Sequence, residues 1–195
     1  KRPFVLSRSF YAGSQTIGPI WTGDNAADWS HLQASIPMIL SLGLAGMPFA
    51  GADVGGFFGN PDAELLTRWY QLGALQPFFR GHAHIETKRR EPWLFGEPWT
   101  TAIKKAIRLR YRLLPYIYTA MFQSHRDGLP VNRPLFMEFS GDGSEERQFM
   151  LGEALLCAPV LEAKASNMQI SLPDESRWFD FHTLQHVETN HNILI

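Results

Sequence analysis

The sequence is poor in the features that hold disulfide-rich or zinc-built domains together. Its 195 residues contain one cysteine, Cys157, so no disulfide can form within the chain and no cysteine cluster is available for structural zinc. Neither sign of charge prevails. Eighteen Lys and Arg oppose 19 Asp and Glu, a formal charge of −1, and the basic excess needed for sequence-independent nucleic-acid binding is missing. A long apolar run is missing too: the stretch 36–52 is broken by Pro37, Pro48, Gly43, Gly46 and Gly51 and does not read as a membrane span. No nucleic-acid or membrane partner is therefore expected. What is abundant is aromatic. Phe, Trp and Tyr make up 13% of the residues, and several stand in loop-like stretches beside polar residues, where core packing explains them least. With 45% hydrophobic and 19% charged residues, the composition suits a packed core and, in its loops, a small-molecule or sugar site.

Residues 1–99 alternate short apolar runs with helical patterns, the grammar of strand–helix units on a parallel sheet. Strands are expected at 3–6, 19–21, 47–52 and 74–79. Asn60-Pro61-Asp62-Ala63-Glu64 reads as a helix start, with Asn60 as cap, Pro61 in the first position, and Asp62 and Glu64 at the positive end. A second helix is expected over 29–42, bent or shortened by Pro37. The longest periodic run, 100–126, puts Ile103, Ala106, Ile107, Arg110, Leu114, Ile117 and Met121 on one face. Lys104, Lys105, Arg108 and Arg112 lie on its solvated face. Pro115 is expected to kink or split this helix, and Gly128 to end it. Beyond Gly128, strand-like runs at 131–139, 149–161 and 168–172 follow with no helix between them. The expected division is an α/β part over 1–128 and a β-rich part over 129–195. Because the chain opens directly on the apolar run Phe4-Val5-Leu6, it is expected to be a piece of a longer polypeptide.

In α/β barrels the residues just past the carboxyl ends of the strands meet substrate. Here the four strand ends run into Ser7-Arg8-Ser9, Trp21-Thr22-Gly23-Asp24-Asn25, Ala52-Asp53-Val54-Gly55-Gly56-Phe57 and Arg80-Gly81-His82-Ala83-His84. Each combines ionisable groups with glycine or aromatics, and four in succession argue for a site. Asp24, beside Trp21 and after Gly23, suits a general acid whose pKa apolar surroundings could raise; its plain alternative is capping the helix that follows. Asp53 has a similar alternative, bracing the glycine turn after it. Gly55-Gly56 matches neither dinucleotide nor Walker spacing. His82 and His84, at i and i+2 on a strand, would point the same way and could share a metal with Asp53, although Arg80 opposes a cation there. Trp93, Trp99 and Met121 read as packing residues, and Lys88-Arg89-Arg90 as a solvated loop.

Taken together, Leu6-Ser7-Arg8-Ser9, Trp21-Thr22-Gly23-Asp24-Asn25, Gly51-Ala52-Asp53-Val54-Gly55-Gly56-Phe57 and Phe79-Arg80-Gly81-His82 resemble, in order and spacing, the motifs of glycoside hydrolase family 31, the retaining α-glucosidases. The block from Phe78 to Ala83, with Thr87-Lys88-Arg89-Arg90-Glu91-Pro92-Trp93-Leu94-Phe95-Gly96-Glu97, is most similar to the endoplasmic-reticulum branch of that family. The resemblance covers residues 1–182. It implies the C-terminal half of a (β/α)8 TIM barrel over 1–128, followed by the start of a β-sandwich domain over 129–195.

It also implies hydrolysis of terminal α-linked glucose, specifically α-1,3-linked glucose on N-glycans, in the endoplasmic-reticulum lumen, with no metal or cofactor and with a noncatalytic β subunit as partner. Asp24 would be the acid/base. Arg8 would hold the sugar hydroxyls or the nucleophile; Asp53 and His82 would bind hydroxyls, and Trp21 and Phe57 would wall the subsite. The family's nucleophile motif, Trp-x-Asp-Met-Asn-Glu-like, is absent from these residues, so this stretch alone is expected to be inactive. Beyond Trp178-Phe179-Asp180, residues 186–195 do not follow the expected β-domain pattern. The rival readings are a non-catalytic sugar-binding or interaction module and a metal-dependent hydrolase using His82 and His84.

Overall fold

The computed structural model describes residues 3–140, 147–165, 167–174, 176–187 and 192–194. The α/β part contains β1 (Ile20–Trp21), α1 (Trp29–Leu44), β2 (Ala50–Gly51), β3 (Asp53–Val54), α2 (Ala63–Gly73), β4 (Arg80–Gly81) and α3 (Trp99–Asp127). Its strands pair in parallel and in chain order. Ile20 stands opposite Ala50 and Trp21 opposite Gly51, while Asp53 stands opposite Arg80 and Val54 opposite Gly81. The expected strand over 3–6 reduces to one parallel bridge between Ser7 and Ile20. The single run over 47–52 becomes two strands on either side of Ala52, whose amide is taken by Gln76 Oε1 at 3.0 Å.

The run 74–79 is a turn, not a strand, and β4 begins only at Arg80. Pro77 has no amide to give a ladder. The Arg110 guanidinium instead takes the carbonyls of Ala74, Gln76 and Pro77.

Three helices cover this parallel core. Leu32, Ile36 and Leu40 of α1, Leu66, Trp69 and Leu72 of α2, and Ile103, Leu113 and Ile117 of α3 enclose Ala52 and Val54 in one cluster. α1 runs through Pro37 to Leu44 and is neither shortened nor stopped there. α3 likewise passes unbroken through Pro115 and ends at Gly128, whose φ of 77° closes the helix with a left-handed residue. Its buried stripe falls on Leu113, with Leu114 exposed, because Ile103, Ala106, Leu113, Ile117 and Ala120 keep a steadier helical spacing. Lys104, Lys105, Arg108 and Arg112 are solvated. Trp93, read as packing, is 64% exposed.

The start of α2 differs from the sequence reading. Asp62 is the cap, accepting from the Leu65 amide at 2.8 Å. Asn60 is drawn away to accept from the Lys88 amide at 2.7 Å, and Pro61 lies outside the helix.

Beyond α3 the chain is β-rich. β5 (Asn132–Arg133), β6 (Phe149–Leu151) and β7 (Leu155–Cys157) form an antiparallel sheet. β8 (Asn167–Gln169) pairs with β11 (Asn192–Leu194), and β9 (Trp178–Phe179) with β10 (His186–Val187). The expected strand over 131–139 is β5 followed by a 3-10 turn at Leu135–Met137. Val131, Phe149 and Leu151 join the core beneath α3, so the two parts share apolar packing. Among the described residues no helix is long and apolar enough to cross a membrane.

The capping assignment is testable. Asp62→Ala removes a side-chain acceptor at the first turn of α2 and should weaken that turn by about 1 kcal/mol, whereas Asn60→Ala should leave it unchanged. Amide hydrogen exchange at Leu65 and Leu66 in the two variants distinguishes them.

Candidate functional site at the strand ends

The four strand ends converge because their strands are parallel neighbours. Parallel strands present their carboxyl ends on the same side, and each loop leaves there. Asp53 and Arg80, cross-strand partners in β3 and β4, are joined by a side-chain ion pair of 2.7 Å. The Asp53 side chain is fully buried, and its second oxygen, Oδ2, has no partner among the described residues. Burial pushes its carboxyl above the usual range, against the downward pull of the Arg80 hydrogen bond and of the Arg80 and His82 charges; the Asp24 charge adds to the upward push. Asp24 and His82 therefore lie within electrostatic reach of Asp53.

Around this pair the other predicted residues gather. The Arg80 guanidinium lies 5.2 Å from the Trp21 ring centroid, a cation–π contact that makes Trp21 a wall beside the ion pair. Trp21 Nε1 is buried without a partner among the described residues. Arg8 reaches Asp24 at 3.4 Å, with side-chain exposures of 63% and 26%. Phe57 stacks on His82 with centroids 5.3 Å apart and planes at 27°. Arg8, Trp21, Asp24, Asp53, Phe57 and His82 thus belong to one connected group.

The plain alternatives are settled by local geometry. Asp24 does not cap α1; Asp28 does, accepting from the His31 amide at 2.8 Å. Asp53 does brace the turn after it, but through its backbone carbonyl, which accepts from the Gly56 amide at 3.1 Å, while its side chain serves Arg80. Gly55 and Gly56 both have positive φ, and a Cβ at Gly56 would stand 2.4 Å from the Ala27 nitrogen. The turn therefore requires glycine for close approach to the neighbouring strand end.

His82 and His84 are not alternate residues of a strand, since β4 ends at Gly81. His82 lies on the face of Phe57, whereas His84 meets it edge-on at 89° and also packs against Phe58. Among the described residues no trio of His, Cys, Asp and Glu is grouped to hold a metal, and Asp53 is committed to Arg80.

Three contributors escaped the sequence reading. From the sequence Arg80 reads only as an obstacle to a cation, whereas in the fold it is the partner of Asp53. Asn25, buried, donates to the Asp53 carbonyl at 3.1 Å and accepts from the Phe57 amide at 3.0 Å, joining two strand ends. Arg90, read as solvated, donates to three carbonyls of the glycine turn. A buried Asn within a motif is a usable signal; an Arg in a basic run is not.

This arrangement offers an accessible carboxyl on Asp24, an exposed imidazole on His82 and two aromatic rings. Polar groups of this kind suit a ligand rich in hydroxyls, and the rings suit its apolar face. Residues 1–120 match the family model Glycosyl hydrolases family 31 TIM-barrel domain, and residues 128–195 match Glycosyl hydrolase family 31 C-terminal domain. Over 188 residues the chain is 56% identical to the neutral alpha-glucosidase AB of Dictyostelium discoideum, covering 93% of this chain and 20% of that protein. Over 182 residues it is 57% identical to the probable glucan 1,3-alpha-glucosidase of Oryza sativa subsp. japonica, covering 92% of this chain and 20% of that one. The solved ER glucosidase II heterodimeric complex, of catalytic subunit and the binding domain of regulatory subunit, matches with a TM-score of 0.91 at 52% identity, across 100% of this chain and 22% of that one. The chain spans about a fifth of the length of the curated relatives it matches.

The Asp53–Arg80 pair makes a pH-dependent prediction. Arg80→Met strands a buried carboxyl and should cost roughly 3 kcal/mol of stability at neutral pH. With the cation gone, the folded-state pKa of Asp53 rises further above its ordinary value of 3.8. The folded chain then binds the proton more tightly than the unfolded one, so stability falls as pH rises through that window. The deficit of Arg80→Met should shrink as pH drops from about 7 to about 4; a deficit constant across that range, in thermal unfolding at each pH, would contradict the assignment.

Proposed function

The chain belongs to glycoside hydrolase family 31, and from that premise we propose that it supplies the acid/base side of a retaining α-glucosidase site. In this reading residues 1–128 are the C-terminal half of a (β/α)8 barrel, and residues 129–195 begin the β-domain that follows. Asp24 protonates the glycosidic oxygen as the bond to glucose breaks. It then takes a proton from the water that releases the glycosyl-enzyme. In this reading exposed His82 and, behind it, Asp53 are the hydroxyl-binding residues; Trp21 and Phe57 line the apolar side of the pyranose, and Arg8 holds the sugar hydroxyls or the nucleophile. Retention requires a second carboxylate about 5–5.5 Å from the first. No nucleophile motif occurs in these 195 residues, so the nucleophile is contributed by another stretch of the full polypeptide.

One observation carries the choice of acid. Of the two carboxylates gathered here, Asp53 is fully buried against Arg80 while Asp24 stays 26% exposed beside Arg8, so Asp24 is the one with room to meet a leaving oxygen. The relatives support the proposed substrate, partner and compartment. Similarity to the probable glucan 1,3-alpha-glucosidase supports α-1,3-linked glucose as the scissile residue; N-glycans as its carrier are what the motif resemblance of residues 78–97 implies. Similarity to the catalytic subunit of the ER glucosidase II complex supports a noncatalytic β subunit and the endoplasmic-reticulum lumen.

Two experiments test this. In the full polypeptide, Asp24→Asn should lower turnover of an alkyl α-glucoside by roughly 10²-fold or more, while an aryl α-glucoside with a good leaving group should lose far less in the glycosylation step, because general acid help matters most where the leaving oxygen is basic. Equal losses on both substrates would count against Asp24 as the acid. Residues 1–195 expressed alone should show no turnover of either substrate; measurable hydrolysis would place a complete carboxylate pair within this stretch.

A further inference from the structure

The glycine turn that carries Phe57 makes few ladder hydrogen bonds of its own. Its backbone carbonyls at Gly55, Gly56 and Gly59 all accept from one side chain: Arg90 Nη1 reaches Gly55 and Gly56 at 3.0 and 2.8 Å, and Nη2 reaches Gly59 at 2.6 Å. Arg90 packs closely there, for a Cβ on Gly55 would lie 3.4 Å from Arg90 Cδ. Two further bonds fasten the same segments. The His84 amide donates to the Phe57 carbonyl at 2.9 Å, and the Lys88 amide to Asn60 Oδ1 at 2.7 Å. Phe57 in turn carries His82 on its face. On the opposite side Asn25 accepts from the Phe57 amide, so the turn is gripped between the β1 loop and the β4 loop.

We infer that Arg90 is a positioning residue for sugar binding: its guanidinium, spanning three carbonyls, fixes the turn that places Phe57 and, through the ring stack, His82 in the substrate wall. This rests on the sugar-binding reading above. A guanidinium suits the task because its planar fork presents several donors at set angles and stays charged. A Lys ammonium keeps the charge but lacks the fork and cannot span carbonyls at both ends of the turn. Arg90 touches no reacting atom, so its loss should act on ground-state binding and leave the chemical step largely intact.

The test uses the full polypeptide with Arg90→Lys, and with Arg90→Gln as a second variant in case the first fails to fold. KM for an aryl α-glucoside should rise about tenfold while kcat falls less than about threefold. Amide exchange at Gly56, Phe57 and Phe58 should quicken. The double variant Phe57→Ala/Arg90→Lys should have the KM of Phe57→Ala alone, because a residue that acts through Phe57 has nothing left to act on. A KM within about twofold of the unsubstituted value in a folded variant, or KM effects that multiply in the double variant, would overturn the proposal. The two readings fail separately. Absence of α-glucoside binding by the unsubstituted polypeptide sinks the sugar reading, whereas unchanged exchange across 56–58 in Arg90→Lys sinks the clamp whatever the polypeptide binds.

Discussion

The ion pair between Asp53 and Arg80 is the constraint on which the strand-end site depends. The two residues are cross-strand partners in a parallel ladder, so the backbone register that pairs β3 with β4 also delivers the carboxylate to the guanidinium. A fully buried carboxylate is costly unless paired and hydrogen-bonded; here the 2.7 Å contact makes any slip of register expensive. The same guanidinium lies over Trp21 and Phe78, tying the end of β1 to the end of β4. From the other side of Asp53, its backbone carbonyl gathers Asn25 and Gly56. One residue thus holds three loops in place, by its side chain and its main chain together.

The need for such devices follows from how little ladder exists. Each parallel strand in the α/β part is two residues long, which leaves many loop carbonyls to be satisfied by other means, since buried polar backbone does not stay unpaired. Arginines take this role repeatedly. Arg110 binds the carbonyls of Ala74, Gln76 and Pro77 and stacks near Phe79. Burial draws its pKa down to about 10, which still leaves it charged at neutral pH. Arg90 does the same for the glycine turn, and buried Arg133 binds the Pro130 carbonyl and Glu138. Each brings several fixed donors to irregular backbone that no strand reaches.

This explains which parts of the molecule were legible in the sequence. The grouping at the strand ends was, because Arg8, Trp21, Asp24, Asp53, Phe57 and His82 stand beside glycines that mark the turns where the parallel strands end. The helices were too, apart from the breaks expected at Pro37 and Pro115, through which α1 and α3 continue, and the α2 cap: Asn60 and Asp62 both suit it, and only the pull of the Lys88 amide on Asn60 decides between them. The run 74–79 was misleading because apolar composition does not distinguish a buried strand from a buried turn, and its carbonyls go to Arg110, which lies far along the chain on α3. Arg90 was invisible for the same reason. Its acceptors are main-chain oxygens, which carry no side-chain signature, and its neighbours Lys88 and Arg89 make it look like one more solvated cation.

The contrast between the two carboxylates bears on the proposed chemistry. Asp53 is fully buried and held by a cation at hydrogen-bond distance, which suits a fixed anchor for the strand ends. Asp24 meets Arg8 only at 3.4 Å, and the Arg8 side chain is 63% exposed. Exposed pairs of that kind hold their partners weakly, by about 1 kcal/mol or less. An acid that must give up a proton in one step and recover it in the next cannot be locked in a strong pair, because each protonation change would have to break that pair. A loose contact orients the Asp24 carboxyl without locking it in place. In the proposed chemistry the strong ion pair thus belongs to the residue that stays fixed, and the weak one to the proposed acid/base.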